Sequence, residues 1–284
     1  MRLPEEGDMA ADSPHLIGWS GEAVDESVMA VIDPDTAIIE VALSGPWDRS
    51  LSWRARTVLD KCLAEHPTGL IVDLHRLDDR QAVSAPLWLT LCAQGAAMQP
   101  PIAIEVCLPA AVPLARRLRR LGARDWLVMY GSVQQARTAL AHRRPLIDRM
   151  HLALPPDPGA AVLARSLVSD ACRGWDLPHL LQRGRLVASE LVVNAAEHAG
   201  TDIEMIVSPR GEGAGAGLHL AVYDGDPGLP RVRDPVPGPL GPSLTDRGLG
   251  LRIVDAAASA WGALPARGGK LVWAILRDRP EVPS

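Results

Sequence analysis

The chain runs to 284 residues, 47% hydrophobic and 22% charged, with a formal net charge of −5. That length favours two domains over a single core, and the acidic balance argues against a general nucleic-acid binder, which needs a basic surface for phosphates. Four cysteines without C-x-x-C or zinc spacing, an acidic start in place of a secretory signal, and no apolar run near the ~18 residues of a membrane span point to a cytoplasmic protein with reduced thiols and no membrane contact.

In chain order, residues 1–27 carry Glu5, Glu6, Asp8, Asp12, Glu22, Asp25 and Glu26 against the single Arg2, the composition of a flexible acidic tail. From Val28 strands and helices alternate. Residues 28–32 and 37–43 are β-rich and parted by the turn signal Asp33-Pro34-Asp35. Residues 50–66 read as a helix with Leu51, Val58, Leu59, Cys62 and Leu63 on one stripe and Ser50 or Ser52 placed to cap it. A short, continuous apolar strand follows at 69–74, then a helix at 84–97 and a strand at 102–108. A helix at 110–121 closes at Gly122, with Arg116, Arg117, Arg119 and Arg120 near its end, where positive charge suits the helix dipole. A strand at 126–130 and a helix at 132–142 complete the half. The alternation predicts right-handed crossovers and a mostly parallel sheet.

This element order, with Leu43-Ser-Gly-Pro-Trp-Asp48, Ile71-Val-Asp-Leu74, Leu118-Arg-Arg-Leu-Gly122 and Tyr130-Gly-Ser-Val-Gln-Gln-Ala136, resembles the STAS domain of anti-sigma-factor antagonists over 28–142. In that family a Ser or Thr in a turn past the strand Asp accepts a phosphate. The corresponding stretch here is Asp79-Arg-Gln-Ala-Val-Ser84, and the acceptor position falls on Ala82 or Val83, which lack a hydroxyl. Ser84 is the nearest candidate phosphosite; as the N-cap of the next helix it has the simpler reading. The departure implies a STAS-like domain that binds partners without a phosphate switch.

Residues 143–156, basic at first and holding Pro145, read as a linker. A helix at 159–174 follows, then one at 179–199 closed by a left-handed Gly200. The second helix puts Val187, Leu191 and Ala195 on one stripe and Glu190, Asn194 and Glu197 or His198 on the next. Asn is a poor helix former, yet a solvated polar face remains open as a reading of this stripe alone. Strands at 202–208 and 217–224 are joined by a glycine-rich loop, a hairpin connection rather than a dinucleotide fingerprint. Asp224, followed by Gly225 and Gly228, lets a planar ligand come close to backbone. The Pro-rich span 229–246 reads as a lid or disordered loop. A helix then starts with Gly248 and Gly250 at its N-terminus, an anion site. A hairpin over 261–276 and a tail at 278–284 end the chain.

Three pieces converge: Glu-x-x-x-Asn on a helix, Asp-Gly-x-x-Gly at a strand end, and Arg-Gly-x-Gly at a later helix start. With Trp261-Gly262 and Gly269-Lys-Leu-Val-Trp273, residues 151–277 resemble the Bergerat ATP-binding fold of the GHKL (HATPase_c) ATPases, most closely the serine-kinase branch of anti-sigma factors. The expected fold class is α/β, a STAS-like mixed sheet with helices followed by a Bergerat α/β sandwich at 157–277.

The resemblance implies roles residue by residue. Asn194 binds Mg²⁺ through its carboxamide oxygen. Glu190 is the general base for an acceptor serine. Asp224 accepts a hydrogen bond from the adenine amino group, and Gly228 lets the base sit against backbone. Gly248, Leu249 and Gly250, with Arg247, hold the phosphates, and His198 either contacts phosphate or packs. The pattern departs at Asp226, where the family usually has Gly; two readings stay open, a carboxylate that weakens nucleotide binding or one that the serine-kinase branch tolerates. Lys270 reads as a surface charge on a strand. The implied protein is an anti-sigma-factor-type regulator that uses ATP and Mg²⁺ to phosphorylate a serine of a partner STAS antagonist while controlling a sigma factor. Homodimerisation is implied by resemblance alone. The alternative is a non-catalytic, nucleotide-dependent binding module, a pseudokinase; the presence of Glu190 favours the kinase.

Overall fold

The computed structural model describes residues 15–16, 27–121, 127–142, 148–211, 216–230 and 249–277. Nearly all of the acidic tail, the closing Gly122, residues 143–147 of the linker, the centre of the glycine-rich loop, most of the 229–246 span with Arg247 and Gly248, and the C-terminal tail lie outside the described residues. The N-terminal half comprises β1 (His15–Leu16), β2 (Val28–Asp33), β3 (Ile38–Pro46), α1 (Arg49–Glu65), β4 (Gly69–Asp78), α2 (Ala85–Ala97), β5 (Ala103–Cys107), α3 (Pro113–Arg120), β6 (Val128–Tyr130) and α4 (Val133–Ala141). The C-terminal half comprises β7 (Met150–Leu154), α5 (Ala160–Gly174), a short 3-10 turn at Pro178–Leu180, α6 (Leu181–His198), β8 (Ile203–Arg210), β9 (Gly217–Asp224), α7 (Leu249–Ala257), β10 (Ala260–Ala266) and β11 (Gly269–Arg277). Among the described residues no helix is long and apolar enough to cross a membrane.

The α/β alternation of the first half is as expected, and so is its mixed, mostly parallel sheet. Strands β3 to β6 run parallel, whereas β2 is antiparallel to β3. The connection explains this: Asp33 Oδ1 accepts from the amides of Asp35 and Thr36, closing a turn too short for a crossover. Neither Ser50 nor Ser52 caps α1. Asp48 does, accepting from Leu51 N at 2.8 Å. Ser84 stands at the N-cap of α2 without making a side-chain cap bond. Its hydroxyl is buried, donates to Asp79 Oδ2 at 2.6 Å and accepts from Trp88 Nε1 at 2.9 Å. A hydroxyl committed on both sides and out of solvent is not presented to a phosphoryl donor, which removes Ser84 as a candidate phosphosite. In the second half, Met150–Leu154 is an antiparallel edge strand on β8 where a linker was expected.

All eleven strands found among the described residues belong to one sheet. Ten lie side by side in the order β6-β5-β4-β3-β2-β10-β11-β9-β8-β7, and β1 pairs with β10. Along the ten-strand row the halves join at one residue pair, Ala266 with Ile32, beside which Arg267 N donates to Ile32 O, and β1 adds the pairs His15 with Gly262 and Leu16 with Ala263. Arg267 also reaches the carboxylates of Asp33 and Glu40, at 3.7 and 3.5 Å.

Helices α5, α6 and α7 cover one face of the C-terminal strands. Leu218, Leu220 and Val222 of β9 and Val272, Ala274 and Leu276 of β11 pack beneath them. The alternate residues, Ala221, Tyr223, Leu271, Trp273 and Ile275, join a core with Ala55, Leu59 and Cys62 of α1. An antiparallel sheet commonly keeps one wet face; here the N-terminal half covers it, and every residue of β9 is buried. The outer side of the N-terminal strands is closed by α4 through Ala136 and Leu140.

A buried polar cluster sits where α1 meets β8 and β9. Glu65 at the end of α1 is 2% exposed, and its Oε1 lies 3.5 Å from Nε2 of the equally buried His219. His219 stacks on Trp273 at a ring separation of 6.3 Å. Arg210, 1% exposed, donates through Nη2 to His66 O at 3.0 Å. His66 has left-handed backbone (φ 65°) and terminates α1. Burial pushes the Glu65 carboxyl from its ordinary 4.5 up to about 8, with Arg210 and Arg149 pulling the other way. Burial, with Arg210 adding to it, holds His66 down at about 3.

The signs differ between the two groups. Glu65 favours the folded state fully below its ordinary pKa, and that stability is lost as pH rises through about 8. His66 contributes stability above about 6.5 that is lost as pH falls toward 3. In urea denaturation, Glu65→Gln should gain on the wild type between pH 5 and pH 9, by about 1 kcal/mol or more. Parallel profiles would show that Glu65 is already ionised across that range.

Candidate functional site

The site begins with α6. Its stripe of Val187, Ala188, Leu191, Val192 and Ala195 is buried against the sheet. That orientation carries Glu190 and Asn194 to the edge of the helix, half-buried, with Glu197 and His198 exposed beyond them. Arg183 fixes the helix to its neighbours, donating to Ala257 O at the end of α7 and to Arg277 O at the end of β11.

Beneath α6 a cavity of about 420 Å³ opens between β9, β11 and α7. Leu191, Val222, Leu251 and Val272 line its apolar walls, and Asn194, His198, Asp224, Asp226 and Lys270 supply polar groups. Apolar walls with a few convergent polar groups are the usual makeup of a small-molecule site. Of the residues expected to form a site, Asn194, His198, Asp224 and Gly228 share this cavity. Gly250 meets the same stripe one turn away, since a β-carbon there would lie 2.7 Å from Glu190 Oε2 and 3.4 Å from both carboxamide atoms of Asn194. Leu249 opens α7. Arg247 and Gly248 lie outside the described residues.

The two ends of the site differ in charge. At the sheet end, Asp224 closes β9 directly opposite Lys270 on β11. Lys270 is 5% exposed, not the surface charge expected of it, and bonds Asp224 Oδ1 at 2.9 Å and Asp226 Oδ2 at 3.0 Å. Burial raises the Asp224 carboxyl, opposed by Lys270. Asp226 is lowered, first by the Gly228 amide that it accepts and then by Lys270. Thr201 supports the turn by accepting from Gly225 N at 2.8 Å. At the helix end, burial and then the charge of Glu197 raise the Glu190 carboxyl. Asn194 Nδ2 is buried without a hydrogen-bond partner among the described residues. A buried carboxamide left open in a cavity is the kind of group a ligand completes. No cluster of three or more His, Cys, Asp or Glu among the described residues is placed to hold a metal ion. A cation here would therefore share Asn194 with oxygens of the ligand itself.

Sequence reasoning missed Lys270 and Thr201. For Lys270 the signal was there: a lone lysine opens an otherwise apolar run, Leu271 to Leu276, next to two glycines. Gly269 is required by close approach, since a β-carbon there would sit 1.8 Å from Asp224 O. That contact is with backbone, whereas Gly250 faces the movable end of a side chain. Gly269→Ala should therefore cost about 3 kcal/mol or more of folding stability and Gly250→Ala less than about 1 kcal/mol, read from urea midpoints. Equal losses would contradict the geometry around Asp224.

No protein-family model matches the chain, and no curated protein matches it. Among solved structures, one similar chain is an anti-sigma factor antagonist from Mycobacterium paratuberculosis, at 17% identity and a TM-score of 0.35. The match covers 41% of this chain and 97% of that one.

Proposed function

We propose that the cavity is an ATP site and that the protein is a cytoplasmic protein-serine kinase of the anti-sigma-factor type, its C-terminal half a GHKL domain and its N-terminal half a STAS-like domain. The observation that carries this reading is the polarity of one cavity. A carboxylate that selects a hydrogen-bond donor stands at its sheet end, and a Glu–Asn pair faces the glycine start of α7 at the other. A base bearing an amino group suits the first end. Phosphates suit the second, where free helix amides and the positive dipole end collect anions.

The chain's own groups then divide the work. Asp224 and the turn to Gly228 orient the base. Asn194 offers its carboxamide oxygen to a phosphate-bound Mg²⁺, a hard donor for a hard cation. When bound, that ion neutralises charge on the phosphates during transfer. The first amides of α7 hold the phosphates against the same side. Glu190 accepts the proton of an incoming serine hydroxyl. Its raised pKa makes it a stronger base than an exposed glutamate. The acceptor is a serine of a separate STAS-type antagonist, because the chain's own candidate hydroxyl is buried at Ser84. A sigma factor is the further partner of this reading.

Incubation with labelled ATP and purified STAS-type antagonists tests it. Glu190→Ala should lower label transfer by about 10²–10⁴-fold, with ATP affinity within about threefold of wild type. In the wild type, transfer should rise with pH through the Glu190 pKa, which lies above the ordinary glutamate value. Transfer that survives Glu190→Ala would remove the base role. ATP binding without transfer to any antagonist would leave the pseudokinase reading, and failure to bind ATP would remove both.

A further inference from the structure

The base end of the cavity holds three charges where one carboxylate would suffice to accept from an amino group. Lys270 Nζ donates to Asp224 Oδ1 at 2.9 Å, to Asp226 Oδ2 at 3.0 Å and to Asp226 O at 3.1 Å. An ammonium has three protons, so this one is fully committed and has none left for a ligand. Asp226 is tied down as well, accepting from Gly228 N at 2.9 Å through its other oxygen and donating its own amide to Asp224 Oδ1. Asp224 Oδ1 thus receives two donors from the protein, which leaves Oδ2 as the oxygen for a ligand. A buried charge is tolerated only when paired. Here two carboxylates and one ammonium leave a net −1, the charge of Asp224 alone.

We propose that Lys270 and Asp226 act together as a charge-balanced strut that orients Asp224 Oδ2 toward the amino group of a nucleobase. Both are positioning residues: Lys270 locks Asp224, and Asp226 locks Lys270. The inference rests on the nucleotide reading above and deepens it. On this reading Asp226 does not weaken nucleotide binding, because its carboxylate is already paired with Lys270. A 6-oxo purine would turn its carbonyl oxygen toward Asp224 Oδ2, and no lysine proton remains to receive it. The strut therefore sets a preference for a 6-amino purine.

Equilibrium binding of ATP and of inosine triphosphate to the full chain, measured by calorimetry, tests the strut. Lys270→Met should weaken ATP binding by about tenfold or more, because the buried Asp224 carboxylate and the partly exposed Asp226 carboxylate are then left facing one another without a counter-charge. Adding Asp226→Asn to that variant removes the second charge, and affinity should return to within about threefold of wild type. The preference for ATP over inosine triphosphate should fall in the single variant and recover in the double. A lysine that served only folding would give losses that add in thermal stability, with no recovery of affinity. Should the methionine variant fail to fold, Lys270→Gln keeps donors without the charge and carries the same two readouts. A single variant that binds ATP like wild type, or a double variant as weak as the single, overturns the strut while leaving the nucleotide site in place. A folded wild type that binds neither nucleotide overturns the nucleotide reading and the strut together.

Discussion

The C-terminal strands are buried from both sides, and most of the molecule follows from that. An antiparallel sheet layered with helices on one face exposes apolar residues on the other unless something covers it. Helix α1 and the core around it do so, placing Ala55, Leu59 and Cys62 in one cluster with Tyr223, Trp273 and Ile275. The second half is thus completed by the first. The polar cluster of Glu65, Arg210 and His219 lies inside the joint, where charge is expensive. Conformational specificity is a reason to keep such groups: an apolar joint would tolerate sliding, whereas an Arg210 bond to the last turn of α1 tolerates one docking geometry.

The period-two alternation of β9 and β11 assigns each residue to one of two tasks. Odd-numbered His219, Ala221 and Tyr223 face α1. Even-numbered Leu218, Leu220 and Val222 face the helices, and Asp224 continues that row into the cavity. On β11 the same rule sends Lys270 to the cavity and Trp273 to the joint. A shift of one residue in either strand would exchange the cavity face for the docking face.

How much of this was legible varies with the physics involved. The Glu190–Asn194 stripe could be read, because the helical period is local; its placement beside Asp224 was implied only by the family resemblance. The single sheet could not, since pairing of Ile32 with Ala266 joins residues that no local pattern relates. One misreading had a visible signal. Met150-His-Leu-Ala-Leu154 alternates as an edge strand does, but the basic residues before it suggested a linker. The unbroken apolar run Leu271 to Leu276 of β11 fits a strand buried on both faces, a pattern more usual in parallel sheets. The partner of Asp226 could not be read, because it sits 44 residues away, on a strand where a lysine looked ordinary.

The hairpin between β10 and β11 turns through only Arg267 and Gly268, with Gly268 at φ +84°. Exposed turns of this kind are where proteins usually accept extra residues. This one is bracketed. Ala266 on one side is the seam to Ile32, and Gly269 on the other lies against the carbonyl of Asp224, one residue before Lys270. A lengthened turn would have to uncouple the seam from the cavity floor. This two-residue turn therefore behaves as a fixed spacer, coupling the cavity to the joint between the halves.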